Sequence, residues 1–407
     1  MANGTDVDVV VVGAGVSGLA AADRLVRAGR SVLVQEAGRR IGGRLLTRRS
    51  AAGHPVDLGA TWFWPGEERV AALASELALP VHPQHLAGDA VYHDPRGRIR
   101  LDGNPIDVPS GRFSSGAAAL ADGLAARLPD GTVRLDDPVL AVEVRVVEDD
   151  GAADGPGDTG TESLVVTTAS GSIRTSDVVL ALPPAVAVDR IEFRPALPQR
   201  LAGLAAATPV WMGSVAKVVA LYERPFWRDR GLAGSAVSHL GPLGEIHDMS
   251  GPDGDPAALF GFARLRTATE PVPDRETIEA QLALLFGPEA PAPIELLVVD
   301  WRQELGPSAP GQVASTAYQL FGNARYHEPA LGGRLHWAST ETVVDSAGHI
   351  EGALAGAERA TAAILAAGVA DRPTSHPRVT TAADTANETG AGSAIGTAPN
   401  ASTRSNP

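Results

Sequence analysis

Lys217 is the single lysine among the 34 Lys+Arg of the chain, and it stands in the apolar run SVAKVVAL, residues 214–221. Arginine carries the positive charge everywhere else. A lysine ammonium is compact and burial lowers its pKa, so it can hold a water and exchange a proton, whereas a guanidinium stays charged and forks its bonds. Its chain neighbours Val215, Ala216, Val218 and Val219 offer no polar company, which argues against a head that simply snorkels to solvent. A second set of residues binds rather than reacts. Gly13, Gly15 and Gly18, with Ser17 among them, form G-x-G-x-x-G. In that pattern the first glycine permits a tight turn, the second lets backbone approach a pyrophosphate, and the third lets helix and strand pack closely. The helix start attracts the phosphate charge. Glu36 follows at about the 20-residue offset from which a carboxylate accepts bonds from an adenosine ribose. Gly42, Gly43 and Arg44, in EAGRRIGGRLLT, put an arginine where it would pair with the second phosphate of a dinucleotide longer than NAD.

These residues need elements to hold them. DVDVVVV (6–12) reads as a buried parallel strand that runs through the glycines into the helical pattern GLAAADRLVRAG, with a second strand, SVLVQE, behind it. RVAALASELAL predicts a helix, and SSGAAALADGLAARLPDG predicts one that begins at a serine cap and ends before Pro129. PVLAVEVRVV and ESLVVTTA predict a hairpin around the acidic, glycine-rich loop EDDGAADGPGDTGT, residues 148–161. From Thr208 to about Leu331, strands such as SVAKVVALYE and IELLVVDW mix with helices such as RETIEAQLALLFG, an α+β pattern. EGALAGAERATAAILAAG is the last predicted helix. Beyond Asp371 the composition turns to Thr, Ala, Asn, Gly, Ser and Pro, predicting a disordered tail in which the sequons at Asn387 and Asn400 carry no meaning without a secretory signal.

The 407 residues, 44% of them hydrophobic, suffice for two cores. The absence of cysteine excludes disulfides, zinc–thiolate sites, a catalytic thiol and sulfur attachment of a cofactor. A formal charge of -14 argues against a nucleic-acid partner. The ten histidines lack metal-ligand spacing, so no metal is expected. No run approaches the roughly 20 apolar residues of a membrane span, and the N-terminus lacks a signal-peptide pattern, so the expected location is the cytoplasm.

Taken together, VVVVGAGVSGLAAADRLVRAG, EAGRRIGGR, DLGATWFWP and STETVVDSAGHIEGALAGAERATAAIL resemble the FAD-dependent amine oxidases of the monoamine and polyamine oxidase group, in motif order across most of residues 6–368. The resemblance implies an α/β fold in which a Rossmann-like FAD-binding domain of glutathione-reductase (GR2) type is interleaved with an α+β substrate domain. The first would take residues 1–79, 107–207 and 332–370, the second 80–106 and 208–331. It implies that Glu36 binds the adenosine ribose, Arg44 the pyrophosphate, and Val139 the adenine through its backbone. Gly59, Ala60, Thr61 and Trp62 would run beside the flavin ring, Glu341 would lie near its phosphate and ribityl end, and Ile350 would offer its N–H to the N1/O2 edge from a helix start, where reduced-flavin charge is stabilised. Lys217 would hold a water against flavin N5.

Two features depart from the family pattern. Its substrate cage has two facing aromatics; one position matches His349, and the other falls near Gly311 and Gln312, where there is no aromatic. His349 is then either a flat, partly polar wall or an acid–base group. Where amino-acid oxidases carry a carboxylate-binding arginine after the LG turn, this chain has Trp62, leaving Arg112 or Arg325 as substitutes. The segment between Trp62 and the serine-capped helix is also short, which predicts a more open or differently roofed pocket. Trp301 and Glu304, in VDWRQE, fit a pattern that shapes the substrate-domain floor. The expected activity is oxidation of an amine by non-covalent FAD, with O2 reduced to H2O2. A flavin-dependent desaturase or dehydrogenase of a non-amine substrate, and a non-catalytic nucleotide-binding module, stand as alternatives.

Overall fold

The computed structural model describes residues 5–147, 161–210, 212–267, 269–287, 290–304 and 317–370. Most of the acidic loop, the stretch containing Gly311 and Gln312, and the tail from residue 371 with its sequons lie outside the described residues.

The valine run forms β1 (Thr5–Val12), and its last four residues are buried because the sheet is covered on both faces. It leads through Gly13 into α1 (Val16–Arg27) and returns as β2 (Val32–Gln35), parallel to β1. A Cβ on Gly18 would stand 1.9 Å from the Gly13 carbonyl oxygen, so only glycine lets α1 lie this close to the turn. On the other side of β1 lies Ser172–Leu180, also parallel, and beside it Leu335–Trp337. The predicted hairpin is present as Val139–Val147 and Thr161–Thr168, paired antiparallel. With the short edge strands Val133–Arg134 and Glu192–Arg194 the sheet has eight strands. The helix Ile350–Ala370 packs with α1 on one face of this sheet, around Leu19, Ala353 and Ala357.

A second sheet of seven strands runs in the order Glu295–Asp300, Val215–Tyr222, Ala257–Arg264, Leu243–Asp248, Leu232–Ser238, Asp89–Asp94, Gly97–Arg100. Two distant stretches of chain supply it. Val81–Pro83 joins a three-stranded sheet with Trp62–Phe63 and Gly111–Phe113. On Val215–Tyr222 the pleat sends Ala216, Val218 and Ala220 into the core under the helix Arg275–Phe286. Val219 and Leu221 face the other way, against Leu46, Val56, Leu58 and Trp301. That second contact joins the seven-stranded sheet to the two-stranded hairpin Thr47–Arg49/Pro55–Asp57, and Trp301 Nε1 donates to the Leu58 carbonyl at 3.0 Å across it.

One helix differs from its sequence pattern. The serine-capped helix is shortened to Ala119–Ala125, because Gly116 adopts φ +86° and breaks the run. The free N–H groups of Ala117 and Ala118 are taken by Asp57 Oδ1 (2.9 Å) and Thr47 Oγ1 (3.1 Å). Distant residues cap this helix in place of the local serine. Among the described residues, no helix is long and apolar enough to cross a membrane.

Candidate active site

A cavity of about 1160 Å³ runs from the α1 turn to the second sheet, above the roughly 300–1,000 Å³ of common small-molecule pockets. At one end its wall is the glycine turn: Gly13, Gly15 and Ser17, then Glu36, Gly42, Gly43 and Arg44, with Val139 across from them. Glu36 accepts from Ala14 N (2.7 Å) and Gly38 N (2.8 Å), which fixes the carboxylate while leaving each oxygen a second lone pair. Gly15 has only Gly43 within 4 Å of where a Cβ would stand, so the backbone here is open to a large ligand. Two buried polar groups on this wall, the Gln35 amide and Ser339 Oγ, have no hydrogen-bond partner. Buried polar groups are rarely left so, and a dinucleotide supplies partners for them. The residues present therefore fit FAD.

Two predicted residues lie behind the wall rather than on it. Gly18 acts through packing. Glu341, fully buried, holds Arg44 in a two-pronged pair at 2.6 and 3.2 Å, so its effect on the cavity passes through that guanidinium. Ile350 lines the cavity as the first residue of its helix.

At the other end Lys217 comes in from the second sheet, on the same strand face as Val219 and Leu221. Its side chain is fully buried. Nζ donates to the Gly59 carbonyl (2.9 Å) and to Thr61 Oγ1 (2.5 Å), and stands 4.2 Å from the centre of the Phe260 ring. The polar company that its own strand lacks thus comes from the Gly59–Trp62 segment. Burial pushes its pKa from 10.5 down to about 7, with Asp57 opposing and Arg112 adding to the fall. Burial also raises the pKa of the Asp57 carboxyl, which Thr47, Lys217 and Arg112 partly offset. An ammonium poised near neutrality can hold or release a proton.

Around Lys217 the wall is aromatic: Trp62, Trp64, Phe260 and Phe262. Trp62 packs on Phe260 at 5.1 Å and donates from Nε1 to Gln84 Oε1 at 3.0 Å. His349 also lines the cavity, its ring 4.6 Å from that of Trp64 and its Nδ1 2.6 Å from Glu67 Oε1. Trp64, Phe260 and Phe262 were not among the sequence candidates. The signal was there in WFW and FGF, since residues two apart on a strand share a face. Neither arginine offered as a carboxylate clamp lines the cavity. Arg112 is spent on the Ser250 and Met249 carbonyls at 2.6 and 2.8 Å, and Arg325 sits beside Glu328 on the surface. Trp301 is core, while Glu304 lines the cavity and pairs with Arg40 at 2.7 Å. No cluster of three or more His, Asp or Glu side chains among the described residues could hold a metal ion.

Comparison with known proteins agrees with this geometry. The family model for flavin-containing amine oxidoreductases matches residues 16–115 and 110–365. A Mycobacterium tuberculosis protein assigned as a flavin-containing monoamine oxidase, AofH, is 32% identical over 88% of this chain and 97% of its own. Putrescine oxidase of Kocuria rosea is 27% identical over 89% of this chain and 95% of its own. Among solved structures, cyclohexylamine oxidase from Brevibacterium oxydans superposes with a TM-score of 0.73 at 24% identity, over 89% of this chain and all (100%) of that one. A cavity that joins a dinucleotide cradle to a buried lysine, inside a chain matched along nearly its whole length, makes this protein a member of the flavin-containing amine oxidoreductase family.

Proposed function

We propose that this protein oxidises the CH–NH group of a small amine with an apolar carbon body, using non-covalently held FAD and O2 and releasing an imine and H2O2. FAD-dependent amine oxidation is the chemistry of the family. The observation that carries the finer reading is Lys217, buried at the end of the cavity away from the phosphate cradle and bonded to the segment that would flank the flavin ring. The glutathione-reductase-type description of the nucleotide half, and the division of the chain at residues 79, 106, 207 and 331, belong to the same proposal.

Gly13, Gly15, Ser17, Glu36, Arg44 and Val139 would hold the adenosine diphosphate half, and Gly59, Ala60, Thr61, Trp62 and Ile350 the ring. FAD, when bound, supplies an acceptor for the hydride equivalent on the amine's α-carbon and a route for the electrons to O2. The chain's own residues do the rest. Trp62, Trp64, Phe260 and Phe262 exclude water and hold the carbon body of the substrate. Lys217 Nζ, with two of its N–H groups on Gly59 and Thr61, holds or yields a proton beside the reacting atoms. His349 takes the proton that a substrate ammonium must lose before its α-carbon can give up hydride.

The test is the visible spectrum of the purified protein while primary, secondary and polyamines are titrated in without oxygen. Bleaching of the oxidised-flavin band by one amine class, and its return in air, is the expected outcome. A flavin that no amine bleaches would move the assignment to the desaturase reading.

A further inference from the structure

The proposed role of His349 leaves one question: which of its two ring nitrogens faces the substrate. Glu67 answers it. This carboxylate lies just before α2 (Glu68–Glu76), five residues after Trp62, and is buried with 6% exposure. Its Oε1 is 2.6 Å from His349 Nδ1, and its Oε2 accepts from Trp64 N at 2.9 Å. One buried side chain therefore fixes both members of the Trp64–His349 stack, whose rings are 4.6 Å apart.

The other charges near this ring are already engaged. Arg69, on α2, and Glu351, on the final helix, pair with each other at 3.0 Å. Glu351 also accepts the N–H of Val70 at 3.0 Å, and Arg69 reaches Glu358 at 2.8 Å. Glu67 is the carboxylate bonded to the imidazole. An ionised carboxylate only accepts, so Nδ1 must carry the hydrogen of this bond. In the neutral ring that leaves Nε2 as an acceptor, and Nε2 has no hydrogen-bond partner among the described residues. The side chain lines the cavity and is 39% exposed.

We infer that Glu67 is a positioning residue that fixes the tautomer of His349, so that Nε2 meets the substrate as an acceptor. The inference rests on the amine-oxidising reading above. An incoming ammonium, R–NH3+, gives one proton to Nε2 and becomes R–NH2; the ring becomes an imidazolium held by the Glu67 carboxylate. The partly exposed ring then returns the proton to solvent. Nothing is oxidised in this step, and no co-reactant is required.

Glu67→Gln tests the inference without removing the support. The variant's amide oxygen still accepts from Trp64 N, which turns its NH2 toward Nδ1. That nitrogen must then accept, and the hydrogen moves to Nε2, the change that disables a base whose orienting carboxylate becomes an amide. The experiment is 15N NMR of histidine-labelled holoprotein, with His349→Gln to assign the signal, together with kcat/KM for an amine. The expected result is an Nδ1–H ring in the wild type, an Nε2–H ring in Glu67→Gln, and a loss of about 100-fold in kcat/KM. An Nε2–H ring in the wild type overturns the inference, as does a variant that keeps its kcat/KM. If no amine reduces the flavin, the functional reading fails by itself, and the wild-type tautomer still decides whether Glu67 orients the ring.

Discussion

Lys217 Nζ stands 2.9 Å from the carbonyl oxygen of Gly59, a residue 158 positions away. The lysine belongs to the second sheet, and the glycine closely follows the hairpin Thr47–Arg49/Pro55–Asp57, which packs against that sheet through Val56, with Leu58 just beyond it. The two halves of the molecule therefore meet at the point where the proton would be handled.

Replacing that lysine separates binding from turnover. Lys217→Met keeps the volume of the stem but removes the group that holds a proton. Its flavin spectrum is expected to match the wild type, while flavin reduction by an amine, followed by stopped flow, slows by about 100-fold or more. An undiminished rate would remove Lys217 from the mechanism.

The same residue ties stability to pH. Its pKa falls from 10.5 in the open chain to about 7 in the fold, so between those values the unfolded chain binds the extra proton and stability rises with pH. Below the lower value both states are protonated and the contribution is flat. Relative to Lys217→Met, the wild type should gain stability by up to about 1.4 kcal/mol per pH unit across that window. Denaturant titrations of both proteins at pH 6, 8 and 10 measure it; a constant difference would mean the ammonium is not desolvated.

Arg44 and Glu341 form a pair in which the carboxylate has no exposure at all. Arg44→Ala strands that charge and is expected to cost about 3–5 kcal/mol. The double variant Arg44→Met/Glu341→Leu should regain most of this stability yet still release FAD more readily, because the guanidinium proposed to pair with the phosphates is gone. Thermal melts and flavin fluorescence on dilution read the two effects separately.

Glycines give a contrast within one chain. Gly18→Ala forces a Cβ to 1.9 Å from a backbone oxygen that cannot move aside, whereas a Cβ on Gly203 meets nothing within 4 Å. Gly18→Ala is expected to lose bound FAD and melt lower. Gly203→Ala, inside the helix Gln199–Ala207, should melt slightly higher, by roughly 0.5–1 kcal/mol of stability. Melting curves of both variants with added FAD decide the matter.

The local patterns were enough for the nucleotide end. A valine run, three spaced glycines and Glu36 lie within 31 residues, Asp6 to Glu36, and a βαβ unit brings such neighbours together whatever the rest of the chain does. The strand carrying Lys217 was legible for a similar reason, since a short apolar run reads as a strand covered on both faces, and every residue after Val215 is buried. The shortened helix at Ala119–Ala125 was not, because its true cap comes from Thr47 and Asp57. Propensity read along the chain cannot register a partner that arrives through space.

By itself, then, the sequence determined the cofactor class, the two kinds of layer and the single lysine, because each depends on residue type and short-range period. Only the tertiary structure decided what surrounds that lysine. Gly59 and Thr61 reach it from one distant segment and Phe260 from another, and the dry pocket they make is what brings an ammonium of pKa 10.5 down to about 7. The same holds for Glu67 and His349, 282 positions apart. Desolvation and hydrogen-bond partnership are properties of an assembled volume, and no stretch of chain contains them alone.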